Sequence, residues 1–256
     1  MNTYPFDEQK DLLRWQDVCY GASPLIFIHG LGCASSSDYP RVVASDAYSR
    51  RRSWLVDLPG AGFSDKPDAN LYGTTAQAQT LERWIRSTPI NRFSLFGHSA
   101  GAFIALKLAA ALHERVNNLI LCQPGLDAYG VGLLESITAM SEREFVNSGF
   151  ALLLEMLKLD GGHDAWLGPL QLCSPQAIYQ WAAAALADQD NGNWIDGLRE
   201  VPIVKKAVIL SDNAPLNDIR QYHQAGCRVE IVAQSGHMMA YDNPDGLARA
   251  ISHFVY

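Results

Sequence analysis

The pentapeptide Gly97-His98-Ser99-Ala100-Gly101 is the segment best equipped for chemistry. It follows a short apolar run, Phe93-Ser94-Leu95-Phe96, and leads into an apolar stretch from Ala100 that reads as a helix. A serine on a tight strand-to-helix turn exposes its hydroxyl, and glycines two residues to either side keep side chains out of the neighbouring backbone. The helix N-terminus beside it favours a developing anion. Such a serine attacks only when a base takes its proton. His237, in Ser235-Gly236-His237, follows the last apolar run, Val229-Glu230-Ile231-Val232, and sits on a Gly-flanked loop. Histidine is the side chain whose ordinary pKa suits proton transfer near neutrality. His98, His113, His163, His223 and His253 lack that context, and His98 is expected to pack or hydrogen-bond beside Ser99.

Acyl chemistry at Ser99 also needs donors for an oxyanion. His29-Gly30-Leu31-Gly32 closes the first clear strand, and the backbone N–H of Leu31 can pair with that of Ala100 for this purpose. His29 itself is expected to hydrogen-bond loop backbone. In Asp57-Leu58-Pro59-Gly60-Ala61-Gly62-Phe63-Ser64-Asp65, the two aspartates are expected to fix the loop rather than to react.

The elements that must position these groups are legible as strand-sized apolar runs closed by turn residues. They are Leu25-Ile26-Phe27-Ile28, Ser53-Trp54-Leu55-Val56, the run before Ser99, Leu119-Ile120-Leu121-Cys122, Ala207-Val208-Ile209-Leu210 and the run before His237. Such runs suit a parallel sheet buried on both faces. Helical patterns cover 74–87 and 100–112, and Asn243-Pro244 supplies an N-cap and a first-position proline for a final helix. Alternating strands and helices predict a doubly wound α/β domain. Between Gln123 and about Pro202 the alternation stops, and helical patterns appear near 133–140, 142–159 and 175–187. We expect residues 1–122 and 203–256 to form the core domain. Residues 123–202 are expected to form a helical cap over the carboxyl ends of the strands, where α/β sheets bind ligands.

The order of strand–HGxG, strand–DLPGxGxSDKP, strand–GHSxG–helix, insertion and late strand–GH resembles the α/β-hydrolase fold superfamily, over 25–254. It looks most like the capped branch that includes esterases, lipases, haloalkane dehalogenases and epoxide hydrolases. The last two use an aspartate nucleophile, whereas this chain has Ser99. The resemblance implies a Ser–His–acid triad in chain order Ser, acid, His. Family members usually carry the acid in a Gly-x-x-Asp turn after the strand that follows the insertion. Here that segment reads Leu210-Ser211-Asp212-Asn213-Ala214-Pro215, which makes Asp212 the first candidate although it falls two residues early. Other members take the acid from the end of the strand before the insertion. That slot holds Gln123, which cannot ionise, with Asp127 four residues on as the second candidate and a missing or substituted acid as the third.

Composition narrows the function classes. The chain has 256 residues, 48% hydrophobic and 18% charged, which excludes intrinsic disorder and allows a core without metal or disulfides. Its net charge of −7 disfavours nucleic acid and anionic membrane surfaces as partners. Five scattered cysteines, with no CxxC pair, suit reduced thiols in the cytoplasm. Residues 1–15 hold five charged residues and no apolar run of signal-peptide length. The most apolar window, 94–112, is broken by His98 and Lys107 and does not read as a membrane span. No metal-ligand spacing and no dinucleotide-binding glycine loop appear, so no metal and no cofactor are expected. The expected partner is a small to medium neutral ester, or secondarily an amide or thioester. Two other classes stay open: a lyase or cofactor-free oxygenase using His237 without an acyl-enzyme, and a non-catalytic ligand-binding or receptor protein. Aromatic residues of the insertion, among them Phe150, Trp166, Tyr179, Trp181 and Trp194, are expected mainly in the core, with one or two lining a pocket. Gly161, Gly162 and Gly192 are candidate hinges.

Overall fold

The structure, a computed structural model, describes residues 1–190 and 194–255. Eight strands form one sheet: β1 (Asn2–Pro5), β2 (Leu12–Val18), β3 (Tyr20–Ile28), β4 (Arg51–Asp57), β5 (Phe93–His98), β6 (Val116–Cys122), β7 (Lys206–Ser211) and β8 (Arg228–Val232). Their order is β1-β2-β4-β3-β5-β6-β7-β8. The pairs from β4 to β8 are all parallel, while β1–β2 and β2–β4 are antiparallel. The six apolar runs of the sequence are β3 to β8. β1 and β2 are not among those runs; Leu13 and Trp15 of β2 pack into the core. Trp15 packs 4.8 Å from Trp84 and 5.9 Å from Trp54, ring centroid to ring centroid, closing one end of the core.

Alternate residues of each central strand serve opposite faces, as a two-residue period requires. Ile26, Ile28, Leu95, Leu119, Leu121 and Val208 join one cluster with α3 (Thr74–Ser87) and α4 (Gly101–Ala111). Leu25, Phe27, Phe96, Ile120 and Ile209 join the other, with α2 (Pro40–Ala44) and the C-terminal α13 (Pro244–Phe254). This is the doubly wound α/β arrangement, with its core split by the sheet. Short helices α1 (Ser35–Asp38) and α12 (Met239–Asp242) and the edge helix α11 (Leu216–Gln224) complete that core. Asn243 Oδ1 accepts from Gly246 N at 2.8 Å and Pro244 opens α13, the start signal read from the sequence.

Between β6 and β7 the chain forms α5 (Ala128–Thr138), α6 (Glu142–Glu144), α7 (Phe150–Asp160), α8 (Asp164–Leu170), α9 (Pro175–Asp190) and α10 (Trp194–Glu200). The stretch expected to be helical over 142–159 is interrupted by a π turn, Phe145–Gly149. Hydrogen bonds tie this segment to the sheet domain at several points, among them four near the strand ends and the flanking helices. Trp166 Nε1 donates to Leu31 O at 2.8 Å and Ser174 N to Gly60 O at 2.8 Å. The Asp188 carboxylate accepts from Thr74 Oγ1 at 2.6 Å and from Lys107 Nζ at 2.8 Å. Gly161 and Gly162, at φ 72° and 77°, separate α7 from α8; Gly192 lies outside the described residues. No helix of the described residues is long and apolar enough to cross a membrane.

Candidate active site

Ser99 occupies the corner between β5 and α4, followed by Ala100 as the N-cap of the helix. Its φ is +52°, a left-handed conformation that a non-glycine residue adopts only under constraint. The constraint is visible: Ser99 N donates to Cys122 O at 3.0 Å on the neighbouring strand, and Ser99 O accepts from Ala102 N at 2.9 Å. The flanking glycines are steric necessities. A Cβ on Gly101 would lie 2.2 Å from His29 O, and one on Gly97 would lie 2.7 Å from the Ala105 Cβ.

His237 arrives from the loop between β8 and α12, and its Nε2 lies 3.0 Å from Ser99 Oγ. For that contact to draw the hydroxyl proton, Nε2 must be the unprotonated nitrogen. Burial lowers the pKa of His237 from the ordinary histidine value, and the field of Asp127 opposes the shift. His98 faces the loop from below, with ring centroids 5.0 Å apart, and its Nε2 donates to His237 O at 2.8 Å. Burial, with the neighbouring His237 and His29 adding to it, pushes the pKa of His98 down to about 3, so it stays neutral.

Residues 30–33 form a turn closed by Cys33 N donating to Gly30 O at 3.1 Å. The amides of Leu31 and Ala100 have no acceptor among the described residues, and both residues line the same cavity as Ser99 and His237. His29 does what the sequence suggested: Nδ1 donates to Gly30 O at 2.8 Å and Nε2 accepts from Leu58 N at 3.0 Å. Asp57 accepts from Ser36 N at 2.9 Å and from Phe63 N at 2.9 Å, and Asp65 accepts from Leu12 N at 2.8 Å. Both are loop anchors.

The acid is the part of the expected constellation that the structure does not bring together. Asp212 lies on the exposed turn after β7, where its Oδ2 accepts from Gln234 N at 2.9 Å. Asp127 is the N-cap of α5, its Oδ1 accepting from Gly130 N at 2.7 Å. Among the described residues no carboxylate is hydrogen-bonded or ion-paired to His237. Gln123 fills the slot at the end of β6. Its Nε2 donates to Ser211 Oγ at 2.9 Å and to Gly236 O at 3.4 Å, and its Oε1 accepts from Ser211 N at 3.3 Å.

Ser99 opens into a cavity of about 280 Å³ between the strand ends and the helices that follow β6. Leu31, Leu126, Leu133, Leu134, Trp166 and Met238 give it apolar walls, while Asp127, Tyr129 and His163 form a more polar part. Of the aromatics expected in the insertion, Trp166 lines the cavity and Trp181 is core. Tyr129, on the first turn of α5, is not among them; its place two residues after an aspartate N-cap is the available signal. A second, more polar hollow of about 550 Å³ lies on the other side of residues 125–127 and also touches His237.

Residues 25–250 match the alpha/beta hydrolase family, and the chain belongs to it. It is 26% identical over 152 residues to an abhydrolase domain-containing protein of Caenorhabditis elegans, covering 58% of this chain and 34% of that protein. A probable 1-acylglycerol-3-phosphate O-acyltransferase of Oryza sativa subsp. japonica is 29% identical over 128 residues, 48% of this chain and 28% of that protein. The matched stretches thus span about a third or less of these relatives' own lengths. Among solved structures, an esterase from Exiguobacterium antarcticum superposes with a TM-score of 0.78 at 19% identity, covering 100% of this chain and 99% of that one.

Proposed function

We propose that the protein is a serine hydrolase of small to medium carboxylic esters, with amides or thioesters as secondary substrates, and that residues 123–202 act as its cap. The observation that carries this reading is the 3.0 Å contact of His237 Nε2 with Ser99 Oγ, on a strained corner that opens into a largely apolar cavity. Ser99 Oγ attacks the acyl carbon while His237 Nε2 takes its proton. The tetrahedral oxygen accepts hydrogen bonds from the Leu31 and Ala100 amides. Collapse breaks the bond to the leaving alkoxide, which receives the proton from His237, and leaves the acyl group on Ser99. Water, deprotonated by His237, then attacks the acyl-enzyme and releases the acid and free Ser99. Of the two carboxylates considered for the triad, Asp127 is better supported than Asp212, because its field reaches His237.

A second reading, acyl transfer to an alcohol instead of water, is favoured by the polar hollow beside His237, which has room for an acceptor. An acyltransferase among the relatives has the same chemistry in its name. Both readings share the acyl-enzyme. The deciding experiment is a fluorophosphonate probe followed by mass spectrometry of the labelled peptide. Ser99 should carry the label, and folded protein left unlabelled overturns both readings. Partition of p-nitrophenyl butyrate between hydrolysis and transfer to added glycerol then separates them.

A further inference from the structure

His237 is held through its main chain. Two consecutive carbonyls of its loop, Gly236 O and His237 O, each accept a hydrogen bond from a side chain at the carboxyl end of a neighbouring strand. His98 Nε2 donates to His237 O at 2.8 Å, and Gln123 Nε2 donates to Gly236 O at 3.4 Å. The two donors come from adjacent positions in the sheet: His98 pairs with Cys122 in the β5–β6 register, and Gln123 is the next residue. Both are themselves fixed. His98 is almost wholly buried. Gln123 sits at φ +45°, its N donates to Ile209 O at 2.9 Å, and its side-chain amide is bonded to Ser211 at both ends. A left-handed glutamine persists only where its surroundings over-determine it, and such strain gathers at functional sites.

The acid of a Ser–His–acid triad fixes the imidazole's orientation and tautomer and stabilises the imidazolium. Here no carboxylate among the described residues bonds the ring, and the first of those tasks falls to neutral groups acting on the loop. We propose that His98 and Gln123 are positioning residues, a neutral clamp on the Gly236 and His237 carbonyls that aims the imidazole at Ser99, so that Ser99 and His237 work as a dyad. This deepens, and rests on, the roles given above to Ser99 and His237. Both act through the His237 loop, although His98 also borders the Ser99 cavity and Gln123 the polar hollow. The imidazolium then has only the field of Asp127 behind it and no carboxylate hydrogen-bonded to the ring, which suits substrates with good leaving groups.

The test uses His98→Leu and Gln123→Leu, which remove the donors, and His98→Gln, which restores an N–H of similar reach. With p-nitrophenyl butyrate, each leucine variant should lose about tenfold or more in kcat with KM within about twofold, since small misplacements of reacting groups are costly. His98→Gln should recover most of the loss, and the double leucine variant should be worse than either. Gln123 is near the surface, so its variants provide the answer if His98→Leu does not fold. Nitrogen-15 NMR of labelled histidine reads the clamp independently of turnover. In the wild type, His237 should hold a single Nδ1–H tautomer, and in the folded leucine variants a mixture. Leucine variants with wild-type kcat and an unchanged tautomer overturn the clamp. A loss on the order of 10⁴ in kcat for Asp127→Asn, the size seen for a triad acid in serine proteases, overturns the dyad. If wild-type Ser99 takes no fluorophosphonate, the acyl-enzyme reading fails, and the tautomer measurement still decides the clamp.

Discussion

Ser99 Oγ and His237 Nε2 meet at 3.0 Å although 138 residues separate them in the chain. The sheet makes the meeting possible. β5 and β8 are separated by β6 and β7, and the loop after β8 reaches back across the ends of those strands. It is tied down on the way: Gln234 N to Asp212, Gly236 O to Gln123, Gly236 N to Asp242 and His237 O to His98. The distance between Ser99 and His237 therefore depends on several loop anchors as well as on the two residues themselves.

The pH dependence of catalysis follows from the environment of His237. With His237 as the proposed base, the ring accepts the Ser99 proton only when neutral, so kcat/KM should be low in acid and rise through the pKa of His237 in the free enzyme. Burial lowers that pKa below 6.5 and the field of Asp127 does not cancel the shift. A profile on p-nitrophenyl butyrate should be a single rise with its midpoint below that of an ordinary histidine. A midpoint above pH 7, or a flat profile between about pH 5 and pH 8, counts against His237 as the base.

Trp166 links the helices after β6 to the turn that carries Leu31. Its indole N–H donates to Leu31 O at 2.8 Å, and Gly32 at φ +70° lies so close that a Cβ there would be 2.6 Å from Trp166 Nε1. Trp166→Phe keeps an aromatic ring in the cavity wall, though a smaller one, and removes the donor. A hydrogen bond of this kind contributes about 1 kcal/mol, so kcat should fall roughly fivefold with little change in KM. Gly32→Ala should do more, because it adds left-handed strain to the clash, and should lower the Tm as well. Equal losses in substrate-analogue and trifluoromethyl-ketone affinity for Trp166→Phe would show that Trp166 only fills space.

Asp38 is a buried carboxylate outside the chemistry. It is 4% exposed and accepts from Ser37 Oγ at 2.9 Å and from Tyr241 OH at 2.9 Å, yet burial outweighs those bonds and pushes its pKa up to about 6. In the unfolded chain it would titrate near 3.9. Between those values the folded protein holds a proton that the unfolded chain has lost, so this contribution to stability is full in acid and disappears as pH rises through about 6. Asp38→Asn keeps an acceptor for Tyr241 and removes the titration. It should raise the Tm relative to wild type near pH 8 and bring no gain near pH 4.5. A lower Tm at both pH values would mean that the ionised form is needed.

What could be read before the fold was known depended on how local the physical requirement is. Gly97 and Gly101 are demanded by atoms one or two contacts away, His29 O and the Ala105 Cβ, so the corner left its mark in five consecutive residues. The α13 start is equally local, an Asn243 side chain capping its own helix. The antiparallel β1 and β2 were not legible, because only Leu13 and Trp15 mark a buried face and the rest of the hairpin is partly exposed. The acid position was not legible either. Whether Asp212 faces His237 depends on the path of the loop carrying Gln234, and that backbone amide accepts no substitute in a sequence pattern. Nor could the cavity lining be read, since α8 is held by Trp166 docking on Leu31 and α5 packs against α9, contacts that their own periodicity does not show.

The cavity sets the expected substrate range. Its volume of about 280 Å³ lies at the lower end of ligand pockets, which run from roughly 300 to 1,000 Å³, and its walls are mainly leucine, tryptophan and methionine. That suits a short to medium acyl chain better than a long lipid. Asp127 at the polar part of the lining, with a net charge of −7 on the chain, disfavours anionic substrates. Neutral p-nitrophenyl esters from acetate to octanoate should be turned over, with kcat/KM greatest at short to medium length and falling once the chain outgrows the walls. Leu133→Trp should shorten the optimum by filling the cavity while leaving fluorophosphonate labelling of Ser99 intact. A chain-length series on both proteins is the measurement. Turnover confined to long-chain emulsions, or an optimum that Leu133→Trp leaves unmoved, would place the acyl group somewhere other than this cavity.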